Sequence, residues 1–161
     1  MVFFPALILF SSFLFGQITI IHSGVLIDGR SEQPLLVYSI LIENDKIIDV
    51  VEGYVDPGEG DVAVDLNSFT VLPGLLDMHV HLSGESNPKK YMERVTMNRD
   101  DYAYRSISFA EKTLMAGFTT VRDLGGPINT SLRNAVNKGY VTGPRIFSAG
   151  KALASTGGHA D

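Results

Sequence analysis

The 161-residue sequence contains no cysteine. That excludes a disulfide framework and every cysteine-based zinc site, so any metal must be held by histidine, carboxylate or a modified side chain. Runs of lysine and arginine are also missing. Thirteen basic residues are scattered against 18 acidic ones, for a formal net charge of −5, and the basic face of a nucleic-acid binder is not there. No internal repeat and no low-complexity linker interrupts the chain. What remains is a globular composition, 45% apolar and 19% charged, which rules out disordered, collagenous and coiled-coil classes. The length is that of one ordinary domain, ~100–200 residues.

Charge is absent from the start of the chain as far as Asp28. Val2 to Phe15 is apolar except for Pro5, Ser11 and Ser12. This run is shorter than the ~20 residues a membrane-spanning helix needs. It matches the ~7–15-residue apolar region of a secretory signal peptide. Gly16 is small enough for a cleavage point, although no Lys or Arg precedes the run and Leu14 is bulky for its position. Residues 1–16 are expected to be a signal peptide that directs the rest to an extracytoplasmic (periplasmic or secreted) location. An uncleaved anchor and a buried core element are the alternatives; no stable membrane anchor is expected.

From Gln17 the pattern changes to short apolar runs broken by turn residues. Ile18–Ile21, Val25–Ile27, Leu36–Ile42, Lys46–Val51 and Val62–Leu66 read as strands, with Glu43-Asn44-Asp45 as a hairpin turn. Residues 17–70 are therefore expected to form a small antiparallel β unit. Beyond it, Leu75–Leu82, Phe118–Val121 and Arg145–Ala149 read as further strands. Residues 83–97 form a polar stretch. Ala103, Ile107, Ala110 and Leu114 recur at helical spacing, with Asp100 and Asp101 near the start and Gly117 past the end. Asn129 is placed to cap a second helix, closed by Gly139. Strand, helix, strand, helix, strand predicts parallel βαβ units, an α/β class.

The chemistry lies in Asp77-Met78-His79-Val80-His81. Strand side chains alternate, so His79 and His81 are expected on one face, ~6.5 Å apart along the strand. Imidazoles at that spacing can converge on one divalent ion of the zinc type. A hydrogen-bonded pair without metal is the plain alternative. Both lie at the carboxyl end of their strand, where α/β barrels place active sites.

Context adds a resemblance. Val71-Leu72-Pro73-Gly74-Leu75-Leu76-Asp77-Met78-His79-Val80-His81-Leu82 resembles the first barrel strand of the amidohydrolase superfamily, in which a small β-sandwich unit precedes that strand. Ala116 to Asp123 resembles its second strand, and Gly143 to Gly150 its third. Thr156-Gly157-Gly158-His159-Ala160-Asp161 is similar to the branch of imidazolonepropionase-like and Xaa-Pro dipeptidase-like enzymes. The resemblance covers residues 18–161 and implies a β-sandwich unit over 17–70 and, over 71–161, the first three strands of an incomplete (β/α)8 TIM-like barrel.

By this resemblance His79 and His81 are ligands of the more buried of one or two divalent metals, zinc first. Asp77, two residues earlier on the same face, is a candidate acceptor for an imidazole N–H, or else a buried structural carboxylate. His159, in the loop after the third strand, is a candidate substrate contact. Arg122 and Asp123 are expected to form a structural ion pair at the strand end, and nothing is expected of His22. The implied activity is metal-dependent hydrolysis of amide, cyclic amide or dipeptide C–N bonds by metal-activated hydroxide, with a small molecule or dipeptide as substrate. Homo-oligomerisation of the complete protein stays open. A full barrel takes ~250 residues, and the family's further ligands come from later strands. The chain is thus expected to be the N-terminal part of a longer protein, inactive alone. The competing reading is a non-catalytic β-sandwich that binds a partner, or a decayed gene product.

Overall fold

The computed structural model describes residues 16–151 and 153–158. The expected signal peptide therefore lies, except for Gly16, outside the described residues, and so does His159. The chain divides between Pro73 and Gly74 into two compact units.

In the first unit, β1 (Ile18–Leu26), β2 (Leu35–Glu43), β3 (Lys46–Glu52) and β4 (Val62–Val71) make one four-stranded sheet in the order β3-β2-β1-β4. The hairpin between β2 and β3 closes through Asn44 and Asp45, both left-handed (φ +47° and +62°). That is the turn whose twist matches the flanking strands. The expectation of a wholly antiparallel unit is corrected at β4, which pairs parallel to β1. A parallel neighbour requires a crossover connection, and here the β2–β3 hairpin with the loop after it supplies one. Asp61, at the end of that loop, accepts the N–H groups of Ile18 and Gly58, each at 3.0 Å, which pins the start of β4 beside the start of β1.

The two short strands expected before Asp28 are one strand, irregular at its middle. The register with β4 shifts between Ser23 and Val25. A Cβ at Gly24 would collide with the backbone of Asn67, so only glycine allows this approach. Ile20, Leu26 and Ile40 are buried with Ser23 and Ser39. The two serine hydroxyls donate to the carbonyls of Tyr38 (3.1 Å) and Gly53 (2.8 Å), so their burial leaves no donor unmet.

The second unit runs β5 (Leu75–Val80), α1 (Lys90–Thr96), α2 (Arg99–Met115), β6 (Phe118–Asp123), α3 (Asn129–Asn137) and β7 (Arg145–Ser148). Its three strands are parallel, in the order β5-β6-β7. The core is built on the central strand: Val121 and Ile146 are buried with Ala110 of α2, Leu132 of α3, Leu82 and Ile128. The capping role expected of Asn129 is altered. It is the first residue of α3 rather than the residue before it, although its Oδ1 still accepts the Thr130 N–H at 2.9 Å. Helix α1 lies inside the stretch read only as polar. Among the described residues, no helix is long and apolar enough to cross a membrane.

Candidate metal centre

The site forms where β5 ends. Asp77 pairs with Val121 and Val80 with Asp123, so β5 carries one more residue over this span than β6 does. Such a bulge interrupts the ladder and re-aims side chains. Side chains serve the backbone groups it releases. Asp77 Oδ1 accepts the His79 N–H at 2.9 Å, and Arg122 Nε donates to the Met78 carbonyl at 2.8 Å. The ladder then resumes with the Leu124 N–H on the Val80 carbonyl (3.1 Å).

In the bulge and just beyond it, the imidazoles of His79 and His81 lie together. Their centroids are 5.4 Å apart, with the ring planes at 69°. Both are exposed and line an open cleft of about 1260 Å³. His81 Nδ1 lies 2.8 Å from the Gly125 carbonyl. A carbonyl oxygen only accepts, so Nδ1 carries the hydrogen and, in the neutral ring, Nε2 keeps a bare lone pair. Gly125 has φ +132°, a conformation open essentially to glycine.

Asp77 does not hold an imidazole in this geometry. Its carboxylate oxygen takes the backbone N–H beneath His79, and the ring partner of His81 is the Gly125 carbonyl. The ion pair expected between Arg122 and Asp123 is not formed. Alternation along β6 leaves Arg122 exposed and Asp123 fully buried, on opposite faces. Asp123 instead accepts the N–H groups of Leu82 (3.0 Å) and Gly125 (3.0 Å) and the Asn129 amide (3.3 Å). The sequence reading missed Gly125 and assigned Asp123 the wrong partner. The trace of both was the paired glycine just after a strand, Asp123-Leu124-Gly125-Gly126. Nε2 of His22 lies 2.9 Å from the Val55 carbonyl.

One wall of the cleft is formed by α1 and α2. Arg105 pairs with Glu93 at 2.9 Å and lies over the rings of Tyr102 and Phe109. The bound guanidinium holds the Glu93 carboxyl below its ordinary value, with help from Asn87 and against a smaller opposing effect of partial burial. Lys90 and Arg94 add positive charge to the same wall.

These residues fit a divalent ion as two donors of a larger set. Both rings line one cleft, and with Nδ1 of His81 set against the Gly125 carbonyl, Nε2 is the ring nitrogen left for an ion. Among the described residues, no group of three or more His, Cys, Asp or Glu side chains comes together, whereas catalytic zinc normally takes three protein ligands.

Comparison with known proteins finds relatives of this chain. The sequence pattern of the Amidohydrolase family matches residues 70–160. Ochratoxinase of Aspergillus niger is 31% identical over 150 residues, which span 91% of this chain and 31% of that protein. The crystal structure of a Xaa-Pro dipeptidase with methionine bound in its active site superposes with a TM-score of 0.84 at 44% identity, over 90% of this chain and 36% of that one. A prolidase complexed with N-methylphosphonate-L-proline superposes with a TM-score of 0.77 at 36% identity, over 89% and 34% respectively. The chain thus spans about a third of the length of the relatives it matches.

Proposed function

Because the chain belongs to the amidohydrolase family, we propose that it supplies the opening strands, and two of the metal ligands, of a metal-dependent hydrolase of C–N bonds. The observation that carries this reading is the pair of imidazoles at the carboxyl end of β5, lining one cleft, with Nδ1 of His81 against the Gly125 carbonyl. His79 and His81 would hold a divalent ion, zinc first among candidates for neutral imidazole. Such an ion supplies Lewis acidity toward a carbonyl and lowers the pKa of bound water.

The chain's own residues provide the frame. The Gly125 carbonyl fixes the tautomer of His81, and Asp77 holds the strand backbone under His79. The substrate class we propose is a dipeptide or N-acyl amino acid. Support comes from the dipeptidase-like structures, one with an amino acid in its active site and one with a phosphonate on a proline nitrogen. The phosphonate is tetrahedral, as an amide carbon under attack is. The basic wall formed by Lys90 and Arg94 suits the free carboxylate of such a substrate. His159 is proposed as a further contact, and residues 1–16 as an export signal, which N-terminal sequencing of the mature protein checks.

The test uses the protein that carries this sequence, loaded with Zn²⁺ and assayed on Xaa-Pro dipeptides. His79→Ala and His81→Ala are each expected to lower activity by more than the ~10–100-fold typical of losing a residue that only supports a ligand, with loss of bound metal. Unchanged turnover in both variants and in the presence of chelator would overturn the reading.

A further inference from the structure

We propose that Asp123 is a positioning residue for His81, setting the direction of its Nε2 through two backbone contacts; this rests on the reading of His81 as a metal ligand. A fully buried carboxylate is costly unless it is paired or hydrogen-bonded. No cation pairs with Asp123 among the described residues. Neutral N–H donors meet it instead, those of Leu82, Gly125 and Asn129. Two of these bear directly on His81. Leu82 follows it in the chain, so Oδ2 fixes the backbone where His81 leaves the strand. Gly125 is the residue whose carbonyl accepts from the His81 ring, so Oδ1 fixes the acceptor. Backbone and ring of His81 are therefore both referenced to one carboxylate.

The third donor extends the same frame. Asn129 Nδ2 also donates to the Gly150 carbonyl at 3.2 Å, and the Ala149 N–H bonds the Asp123 carbonyl at 2.9 Å. The exits of β5, β6 and β7 thus meet at Asp123. No comparable ring contact fixes His79 among the described residues. His81 is the pre-aimed member of the pair, and Asp123 aims it.

The test reads the tautomer of His81 in the full, metal-free chain by long-range ¹H–¹⁵N NMR, and Zn²⁺ affinity by competition with a chelator. In the unsubstituted chain, His81 is expected as the Nδ1-protonated tautomer, with the Leu82 and Gly125 amides protected from hydrogen exchange. Asp123→Ala is expected to mix the tautomers of His81, leave His79 unchanged and weaken Zn²⁺ binding by ~10–100-fold. Asp123→Asn keeps one acceptor oxygen and turns an NH₂ toward the other N–H, so it is expected to fall between. Asn129→Ala, which leaves the Leu82 and Gly125 contacts, is expected to keep the tautomer. The proposal is overturned by a folded Asp123→Ala or Asp123→Asn chain whose His81 keeps its tautomer and affinity. It is equally overturned if His81 of the unsubstituted chain carries its hydrogen on Nε2, a result that needs no variant to fold. If the whole protein that carries this sequence shows the expected tautomer and protection but takes up no Zn²⁺, the metal reading alone falls and the aiming of the ring stays in place.

Discussion

Gly125 shows how much of the centre depends on one backbone conformation. At φ +132° it turns its carbonyl to within 2.8 Å of His81 Nδ1. Gly125→Ala forces an L side chain into a region costing ~1–3 kcal/mol and moves the acceptor. Zn²⁺ affinity is expected to fall by ~10–100-fold with only a modest drop in Tm; titration calorimetry and a thermal melt check the two effects separately. His79 and His81 were legible as neighbours because they stand two residues apart, and their rings lie together, 5.4 Å between centroids. Asp77 was not, because its oxygen answers a backbone N–H that the bulge releases. Nothing in a single strand's pattern announces a bulge set by pairing with β6 some forty residues later. Arg122 and Asp123 were read as partners because they are adjacent, when adjacency in a strand is what separates side chains.

Helix α1 was invisible in the sequence for a different reason. Tyr91, Met92 and Val95 are exposed, so the helix shows no core-facing stripe. An ion pair, Glu93 with Arg105, ties it to α2. Helix α2, by contrast, was legible: Ala110 is fully buried at the expected spacing, and Asp101 Oδ2 accepts the Asn98 N–H at its start (2.7 Å). The pairing of α1 gives it a pH dependence. The Glu93 carboxyl titrates lower when folded than its ordinary 4.5. The contribution is therefore complete above 4.5 and fades as the pH falls through the lower folded value. Protection of the α1 amides, measured against their intrinsic exchange rates, is expected to fall at pH 3 relative to pH 6, beyond the change in α2. Glu93→Gln should show the lower protection at both pH values.

At the scale of the whole chain, the α/β order and the turn to parallel strands after Pro73 were readable from spacing and turn residues. The parallel pairing of β4 with β1 was not, since short strands joined by loops carry no mark of which edge they join. Among the described residues, each sheet ends in open edges: β3 and β4 in one, β5 and β7 in the other. These edges bear exposed apolar side chains, among them Ile47 (66% exposed), Leu76 and Phe147. Unpaired edges with such side chains favour association. The purified 161-residue chain is expected to bind a hydrophobic dye and to elute above monomer mass at micromolar concentration. Ile47→Lys on β3 should shift the distribution toward monomer, measured by light scattering.

The carboxylate of Asp123, shut away from water, anchors the departure points of three successive connections at once. Whatever lies outward of that anchorage can change in length and character while the imidazole beside it holds its heading. On the proposed reading, the choice of guest and the grip on an ion are thereby set by separate parts of the chain.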